Sequence, residues 1–183
     1  TANLKVAARR IAFGKWLNVG QTCVAPDYLL VDARVHDELL GLIKEEARRM
    51  FGEHPLDNED YGHIVNAKHF ARVRGLIDPD KVVLGGAARE SSLKIEPTIL
   101  DGVTLDDAVM QEEIFGPILP VLTFESLDKA ETFIANRPTP LALYIFSQDR
   151  AVQQRFVRYV PFGGGCVNDT IMHLATSHMG FGG

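Results

Sequence analysis

Apolar and polar residues follow each other along this chain with two different periods. In the segment 36–51, Leu39, Ile43, Ala47 and Met50 recur every three or four positions, opposite a charged face. This spacing predicts an amphipathic helix that ends at Gly52. Similar spacing predicts four more helices: over 4–16 after a cap at Asn3, over 66–76, up to 135 after a cap at Ser126, and after a cap at Asp149, with Val152, Phe156 and Tyr159 facing inward.

Short apolar runs fall between these helices and predict strands. They lie over 28–31, 81–85, 95–100, 118–124, 141–147 and 166–168. Because proline cannot donate a ladder hydrogen bond, Pro120 predicts that its strand lies near an edge or carries a bulge. Strands that alternate with helices are typical of an α/β protein, here an open, largely parallel sheet with helices on both faces.

The composition limits the classes of protein to which the chain can belong. Its 183 residues are 46% hydrophobic, enough for one core, so we expect a single domain over 1–183. The net charge of −5 argues against binding to nucleic acid or to an anionic membrane, since both need a basic face. No apolar run approaches the roughly 20 residues that span a bilayer, and no signal peptide is visible. We therefore expect a cytoplasmic protein.

The cysteines and histidines give little support to a metal site. Cys23 and Cys166 lie far apart, in no CxxC pair, so a disulfide framework or metal cage is not expected. The six histidines show no pair at ligand spacing beside acids or cysteines. We expect no metal, and each thiol needs its own explanation.

The connection 18–26 carries Cys23 and is the first of three unusual loops. A thiol at an exposed turn is a useful nucleophile when nearby dipoles or cations favour the thiolate, and its own N–H can then face an oxyanion. Gly20 permits such a close turn. The alternative is that Cys23 is a small buried hydrophobe, since free cysteines are among the most buried residues.

The other two loops contain paired acids and clustered glycines. In the segment 111–117, QEEIFGP, Glu112 and Glu113 precede a Gly-Pro turn. A carboxylate at this place can hold two hydroxyl groups, or it can simply be solvated. The glycine clusters at 161–165 and 180–183 match neither a dinucleotide fingerprint nor a P-loop, so no nucleotide site can be read from them.

Taken together, the three loops resemble the aldehyde dehydrogenase superfamily. NVGQTC at 18–23, EEIFGP at 112–117 and GFGG at 180–183 occur in the order and approximate spacing of that family. QTCVAPDY at 21–28 and VNDTIMH at 167–173 look closest to its class 3 branch, which handles medium-chain, fatty and aromatic aldehydes. The resemblance covers essentially the whole chain and implies the catalytic-domain type of α/β fold found in this family.

The resemblance also implies a role for individual residues. Cys23 would attack the aldehyde carbonyl to give a thiohemiacetal, with the oxyanion held partly by the Cys23 N–H. Loss of hydride to NAD or NADP would leave a thioester that water hydrolyses to the acid. Glu113 matches the glutamate that binds the nicotinamide ribose, Phe115 the phenylalanine beside that ribose, and Phe181 an aromatic at the substrate entrance. The residues that would shape the cysteine loop rather than react are Asn18, Gly20, Gln21 and Thr22.

Other parts of the family pattern are missing from these 183 residues. In the family, a dinucleotide-binding domain, a glutamate general base and an oxyanion asparagine precede this segment, and a strand that joins subunits follows it. We therefore expect an excised catalytic domain of a homo-oligomeric enzyme, inactive alone, with Cys166 as a buried structural thiol. Gly180 stands where the family commonly has proline, which leaves the geometry of the substrate entrance open.

Two functions of other kinds remain open from the sequence. Cys23 and one of the histidines could form a cysteine hydrolase in which the histidine is the base. Alternatively, the chain is a non-enzymatic assembly or binding module in which Cys23 is inert. Neither alternative explains the order of the second and third loops.

Overall fold

The computed structural model describes residues 1–178 and 180–182, in which helices and strands alternate as the sequence predicts. The helices are α1 (Leu4–Trp16), α2 (His36–Phe51), α3 (Ala67–Arg74), α4 (Leu127–Ala135) and α5 (Arg150–Tyr159). The strands are β1 (Leu29–Asp32), β2 (Val82–Leu84), β3 (Ala88–Arg89), β4 (Lys94–Ile95), β5 (Thr98–Leu100), β6 (Ile118–Phe124), β7 (Ala142–Ile145) and β8 (Gly164–Val167).

The central sheet has the strand order β1-β6-β5-β2. β1, β6 and β5 run parallel, and β2 is antiparallel at one edge. β7 and β8 form a separate parallel pair, and β3 and β4 a short antiparallel pair. The α/β fold with a largely parallel sheet is therefore confirmed.

The central sheet is covered on both faces, as predicted. Leu119 and Val121 of β6 pack into one hydrophobic cluster with the buried faces of α1 and α2. Ile118 and Leu122 point the other way, into a second cluster that includes Phe70 and Val73 of α3. This alternation follows from the period of two along a strand.

Two predictions within the strands are wrong. β6 lies between β1 and β5 rather than at an edge. Its pairing with β5 ends at Pro120 and its pairing with β1 begins at Val121, so the missing N–H falls where one ladder gives way to the other. The single strand expected over 95–100 is two strands, interrupted at Glu96 and Pro97.

α1 and α2 begin and end at the predicted residues, and the Asn3 side chain accepts the predicted capping hydrogen bond from the Val6 N–H. In α5, Phe156 is buried as expected in a third cluster with α4 and β7. Tyr159 was expected to face inward and is 71% exposed. It is the last residue of the helix and lies outside the cluster that buries Phe156.

Candidate active site

The chain turns sharply between α1 and Cys23. Asn18, Val19 and Gly20 are three successive residues in the left-handed region, with φ of 52°, 58° and 73°. This conformation is strained for the β-branched Val19, whose side chain is only 2% exposed in the core. Burial of the Val19 side chain therefore stabilises a left-handed backbone conformation that valine disfavours.

Gly20 brings this turn against the loop that carries Glu113. A Cβ added at Gly20 would lie 2.1 Å from the carbonyl oxygen of Gly116. The Trp16 indole N–H donates to the Pro117 carbonyl oxygen at 2.9 Å, and the Asp27 carboxylate accepts from the Ile114 N–H at 3.1 Å. Two of the three predicted loops are thus joined on both sides of Cys23.

Asn18 and Gln21 organise the loop through hydrogen bonds. The Asn18 side-chain amide donates to the Gln21 carbonyl at 3.0 Å. The Gln21 side-chain amide donates to the His63 carbonyl at 3.0 Å and accepts from the Val65 N–H at 2.9 Å. These bonds tie the loop to the neighbouring segment without using the thiol.

Cys23 lies inside a four-residue turn. The Ala25 N–H donates to the Thr22 carbonyl at 2.9 Å, which places Cys23 second in the turn. The cysteine is exposed, so the buried-hydrophobe alternative does not apply. No acceptor within residues 1–178 and 180–182 takes a hydrogen bond from the Cys23 N–H. The turn therefore presents a thiol and a free backbone donor together.

The loop of Glu113 is held by its backbone. Arg72 donates to the Glu113 carbonyl at 3.2 Å and the Ile114 carbonyl at 2.5 Å, and its other partner is the Glu112 carboxylate at 3.0 Å. Within the described ranges, the exposed Glu113 carboxylate forms no ion pair. Phe115 is 39% exposed and has a φ of 47°, a further left-handed residue. Glu113 is thus presented to solvent from a fixed backbone.

A buried charge lies beneath both loops. Lys15, the penultimate residue of α1, is 1% exposed. Burial lowers the pKa of Lys15 to about 8, against the opposing effect of the Asp27 and Glu113 carboxylates. Placing a lysine here costs stability, and the two carboxylates only partly compensate.

Phe181 lies beside the first glycine cluster. Its carbonyl oxygen would lie 3.5 Å from a Cβ at Gly164, and a Cβ at Gly182 would lie 2.5 Å from the Gly163 carbonyl, so the two glycine clusters touch. The ring of Phe181 is 51% exposed. Gly183, the last residue of the predicted third motif, lies outside the described residues.

Cys166 has different surroundings. It is partly buried in β8, less than expected for a structural thiol, and burial raises its pKa. His173 Nδ1 lies 3.7 Å from its Sγ. In the described part of the chain no histidine is hydrogen-bonded to Cys23, so the hydrolase alternative gains no base. No group of three or more potential metal ligands occurs among those residues.

Sequence reasoning missed several residues around the two loops. Lys15 carried a signal, because it interrupts the apolar face of α1 one turn after Ile11. Arg72 and Asp27 carried none, since a charged residue in a polar stretch looks the same whether or not it binds a distant backbone group. Their roles depend on contacts between segments about 40 and 87 residues apart.

Comparison with known proteins decides the family. The sequence model that describes the aldehyde dehydrogenase family matches residues 1–183 of this chain. The chain belongs to the aldehyde dehydrogenase family. It is 52% identical to the 4,4'-diaponeurosporen-aldehyde dehydrogenase of Staphylococcus aureus, and the aligned region covers all of this chain and 40% of that protein. It is 41% identical to the dimeric NADP-preferring aldehyde dehydrogenase of Bos taurus, over 99% of this chain and 76% of that protein.

A solved aldehyde dehydrogenase structure has the same fold as this chain. The substrate-bound state of Staphylococcus aureus AldH superposes with a TM-score of 0.98 at 51% identity, over 100% of this chain and 40% of that one.

A further sequence relative, the aldehyde dehydrogenase family 3 member A2 of Rattus norvegicus, is 42% identical, which agrees with the predicted class 3 resemblance. The chain thus spans about 40% of the length of several relatives that it matches. No helix in its described residues is long and apolar enough to cross a membrane.

Proposed function

We propose that this chain is the nucleophile-bearing part of an NAD(P)-dependent enzyme that oxidises aldehydes to carboxylic acids. The observation that carries the proposal is the turn at Cys23, which exposes a thiol and a free backbone N–H side by side. Family membership supports aldehydes as the substrates of this thiol.

Cys23 is the catalytic residue of the proposed reaction. Its thiolate adds to the aldehyde carbon, and the carbonyl oxygen becomes an oxyanion next to the Cys23 N–H, where a positioned donor stabilises it. After oxidation, the same sulfur carries the acyl group as a thioester, and water releases the acid and restores the thiol. Asn18, Gly20, Gln21 and Thr22 hold the turn and do not react.

Glu113 and Phe115 fit the ribose of a nicotinamide coenzyme. The Glu113 carboxylate forms no ion pair within the described ranges and can accept hydrogen bonds from two hydroxyl groups, while Phe115 offers a half-exposed ring beside it. Bound NAD or NADP would supply the hydride acceptor. Relatives include an NADP-preferring enzyme and an indole-3-acetaldehyde dehydrogenase complexed with NAD+, so either coenzyme suits the proposal.

The substrate side of the proposal favours apolar aldehydes. Met172, Leu174 and Phe181 leave 47%, 40% and 51% of their surface exposed along the final segment, where Phe181 would flank the substrate entrance. A Staphylococcus aureus relative is named 4,4'-diaponeurosporen-aldehyde dehydrogenase. We therefore propose medium-chain, fatty or aromatic aldehydes as the substrate class.

A competition between aldehyde and alkylating agent tests this function. Octanal should slow the alkylation of Cys23 by iodoacetamide, because the thiohemiacetal has no free thiolate, and should leave Cys166 unchanged. Octanol, which has the same chain and no carbonyl, is the matched control. Equal protection by both compounds, or protection of Cys166 instead, would contradict the proposed reaction.

The proposal also covers the state of the whole protein. We expect the 183-residue chain alone to form no NAD(P)H from an aldehyde. In the family that it resembles, the general base and most coenzyme contacts belong to segments outside the one matched by these 183 residues. The name of the bovine relative includes "dimeric", which supports a homo-oligomer. Light scattering and cell fractionation of the protein would test the proposed oligomeric state and cytoplasmic location.

A further inference from the structure

β7 presents one tyrosine to the nucleophile loop. Leu143 and Ile145 of this strand pack into the cluster formed with α4 and α5. Tyr144 lies between them and therefore points to the opposite face. On that face its hydroxyl donates to the carbonyl oxygen of Val24 at 2.7 Å. Val24 is the residue after the proposed nucleophile.

The hydrogen bond from Tyr144 is a second contact that fixes the turn at Cys23. The Ala25 N–H already bonds the Thr22 carbonyl across the turn, and Val24 is only 1% exposed. Without the tyrosine hydroxyl, the Val24 carbonyl would be left buried with no donor in the described residues. Tyr144 thus holds the Val24–Ala25 peptide group, whose N–H bonds the Thr22 carbonyl, and that carbonyl belongs to the same peptide group as the Cys23 N–H.

Tyr144 also contacts the segment after β8. Its ring lies 5.9 Å from the His173 ring, and Cys166 is its partner in the β7–β8 ladder. Ile171 in the same segment has a φ of 48°, unfavourable for a β-branched residue, and Thr170 beside it donates to the Arg10 carbonyl of α1 at 2.8 Å. The tyrosine therefore rests on a fixed part of the structure.

The hydroxyl of Tyr144 stays protonated over the working range of pH. Burial raises its pKa well above the ordinary value, and a backbone hydrogen bond from Ile171 offsets this only in part. It therefore acts as a hydrogen-bond donor and not as a base.

We propose that Tyr144 is a positioning residue for Cys23, whose hydroxyl fixes the turn so that the Cys23 N–H points at the oxyanion formed on attack. The inference rests on the proposed function, since it has consequences only if Cys23 attacks a carbonyl. It predicts that Tyr144 contributes to reactions of Cys23 that pass through an oxyanion and not to those that do not.

Two reactions of the same thiol separate these cases. With 4-nitrophenyl acetate, the thiolate attacks the carbonyl, an oxyanion forms and collapses, 4-nitrophenolate leaves, and the acetyl group remains on Sγ. With iodoacetamide, the thiolate displaces iodide in one step and no oxyanion forms. Both rates are measured at Cys23 in the 183-residue chain by peptide mass spectrometry over pH 6–9.

The test variant is Tyr144→Phe, which removes the hydroxyl and keeps the ring. We expect acetylation of Cys23 to slow about tenfold at every pH, while alkylation changes less than about twofold. Tyr159→Phe is the matched control, because Tyr159 is 71% exposed and forms no hydrogen bond through its hydroxyl in the described residues. It should leave both rates unchanged.

The outcomes distinguish this inference from the function on which it rests. Equal acetylation in Tyr144→Phe and the unsubstituted chain would overturn the positioning role alone. If both reactions slow together, Tyr144 supports the structure generally and the inference is again wrong. If the unsubstituted chain acetylates Cys23 no faster than Cys166, the proposed function itself fails, and the inference fails with it.

Discussion

The two thiols of this chain lie in contrasting surroundings. Cys23 is exposed in a turn that follows three left-handed residues and stands above a buried lysine. Cys166 is a ladder residue of β8, partly buried and beside His173. Regular structure around Cys166 satisfies its backbone groups, whereas the turn at Cys23 leaves its N–H free within the described residues.

This difference shows which part of the protein contains features that lower its folding stability. Around Cys23, a strained backbone and a desolvated ammonium both oppose folding, and they occur beside a close approach that only glycine at position 20 allows. Such features persist only where the surrounding structure fixes them, and they tend to cluster at functional sites. If the account is correct, substitutions at the two thiols and around the turn should have unequal effects.

The largest expected effect is the loss of the reactive thiol. Cys23→Ser should reduce acetylation of the chain by 4-nitrophenyl acetate by about 1000-fold or more, because a hydroxyl with no adjacent base is a poor nucleophile. The measurement is the burst of 4-nitrophenolate per chain. Cys166→Ala is the control and should keep the full burst. A burst lost with Cys166 and kept without Cys23 would reverse the assignment.

The next effect concerns the contact between the two loops. Gly20→Ala places a Cβ against the Gly116 carbonyl and requires a left-handed alanine, so we expect a loss of about 2–4 kcal/mol in the free energy of unfolding. Gly41→Ala, in the exposed interior of α2 with open space around it, should instead gain about 0.5–1 kcal/mol. Urea unfolding measures both. Similar values for the two variants would show that the loops do not need this close approach.

A smaller change, an increase in the free energy of unfolding, is expected when Lys15 is replaced by methionine. Since the folded pKa of about 8 lies below the unfolded value of 10.5, the unfolded state binds more protons between these values, and stability should rise with pH across that interval. Lys15→Met should raise the free energy of unfolding at pH 7 by about 2–3 kcal/mol and abolish the rise. Unfolding measured from pH 7 to 10.5 tests both statements.

Lys5→Met in the same helix is the matched control for Lys15, because Lys5 is exposed. It should change stability by less than about 0.5 kcal/mol. A Lys15→Met variant less stable than the original at pH 7 would mean that the ammonium is favourably paired where it lies.

The smallest effect is expected from Cys166→Ala on the unfolding free energy. Cys166 is partly buried and its Sγ makes a long contact of 3.7 Å with His173 Nδ1, so the loss should be about 1 kcal/mol or less. Thermal unfolding measures it. A loss of several kcal/mol would show that the structural role of this thiol is much larger than its surroundings indicate.

Sequence patterns predicted the fold well where the signal was local. The period of three to four residues and the cap at Asn3 defined α1 and α2, because both signals act within one helix. The prediction from Pro120 was wrong because the effect of its missing N–H depends on which strands pair with β6 on each side. The local sequence does not contain that information. The prediction for Tyr159 was wrong because the cluster that covers this face of α5 does not extend to its last residue.

The candidate site was predictable only as a set of loops. Cys23, Glu113 and Phe181 were found through family resemblance, and the structure shows that the first two loops touch through Gly20 and Gly116. Tyr144 was not predictable as a site residue, since it is an ordinary strand residue whose partner lies 120 positions away. Contacts at that separation are set by the packing of β7 beside the turn.

The most direct test compares alkylation of the two thiols within one folded chain. Iodoacetamide is added over pH 5–10, and the rates at Cys23 and Cys166 are read from their separate peptides, with a urea-unfolded sample in which both thiols should react alike. The account predicts that Cys23 reacts at least about tenfold faster than Cys166 in the folded chain at neutral pH. Equal rates, or faster reaction of Cys166, would contradict the claim that the turn presents Cys23 as the nucleophile.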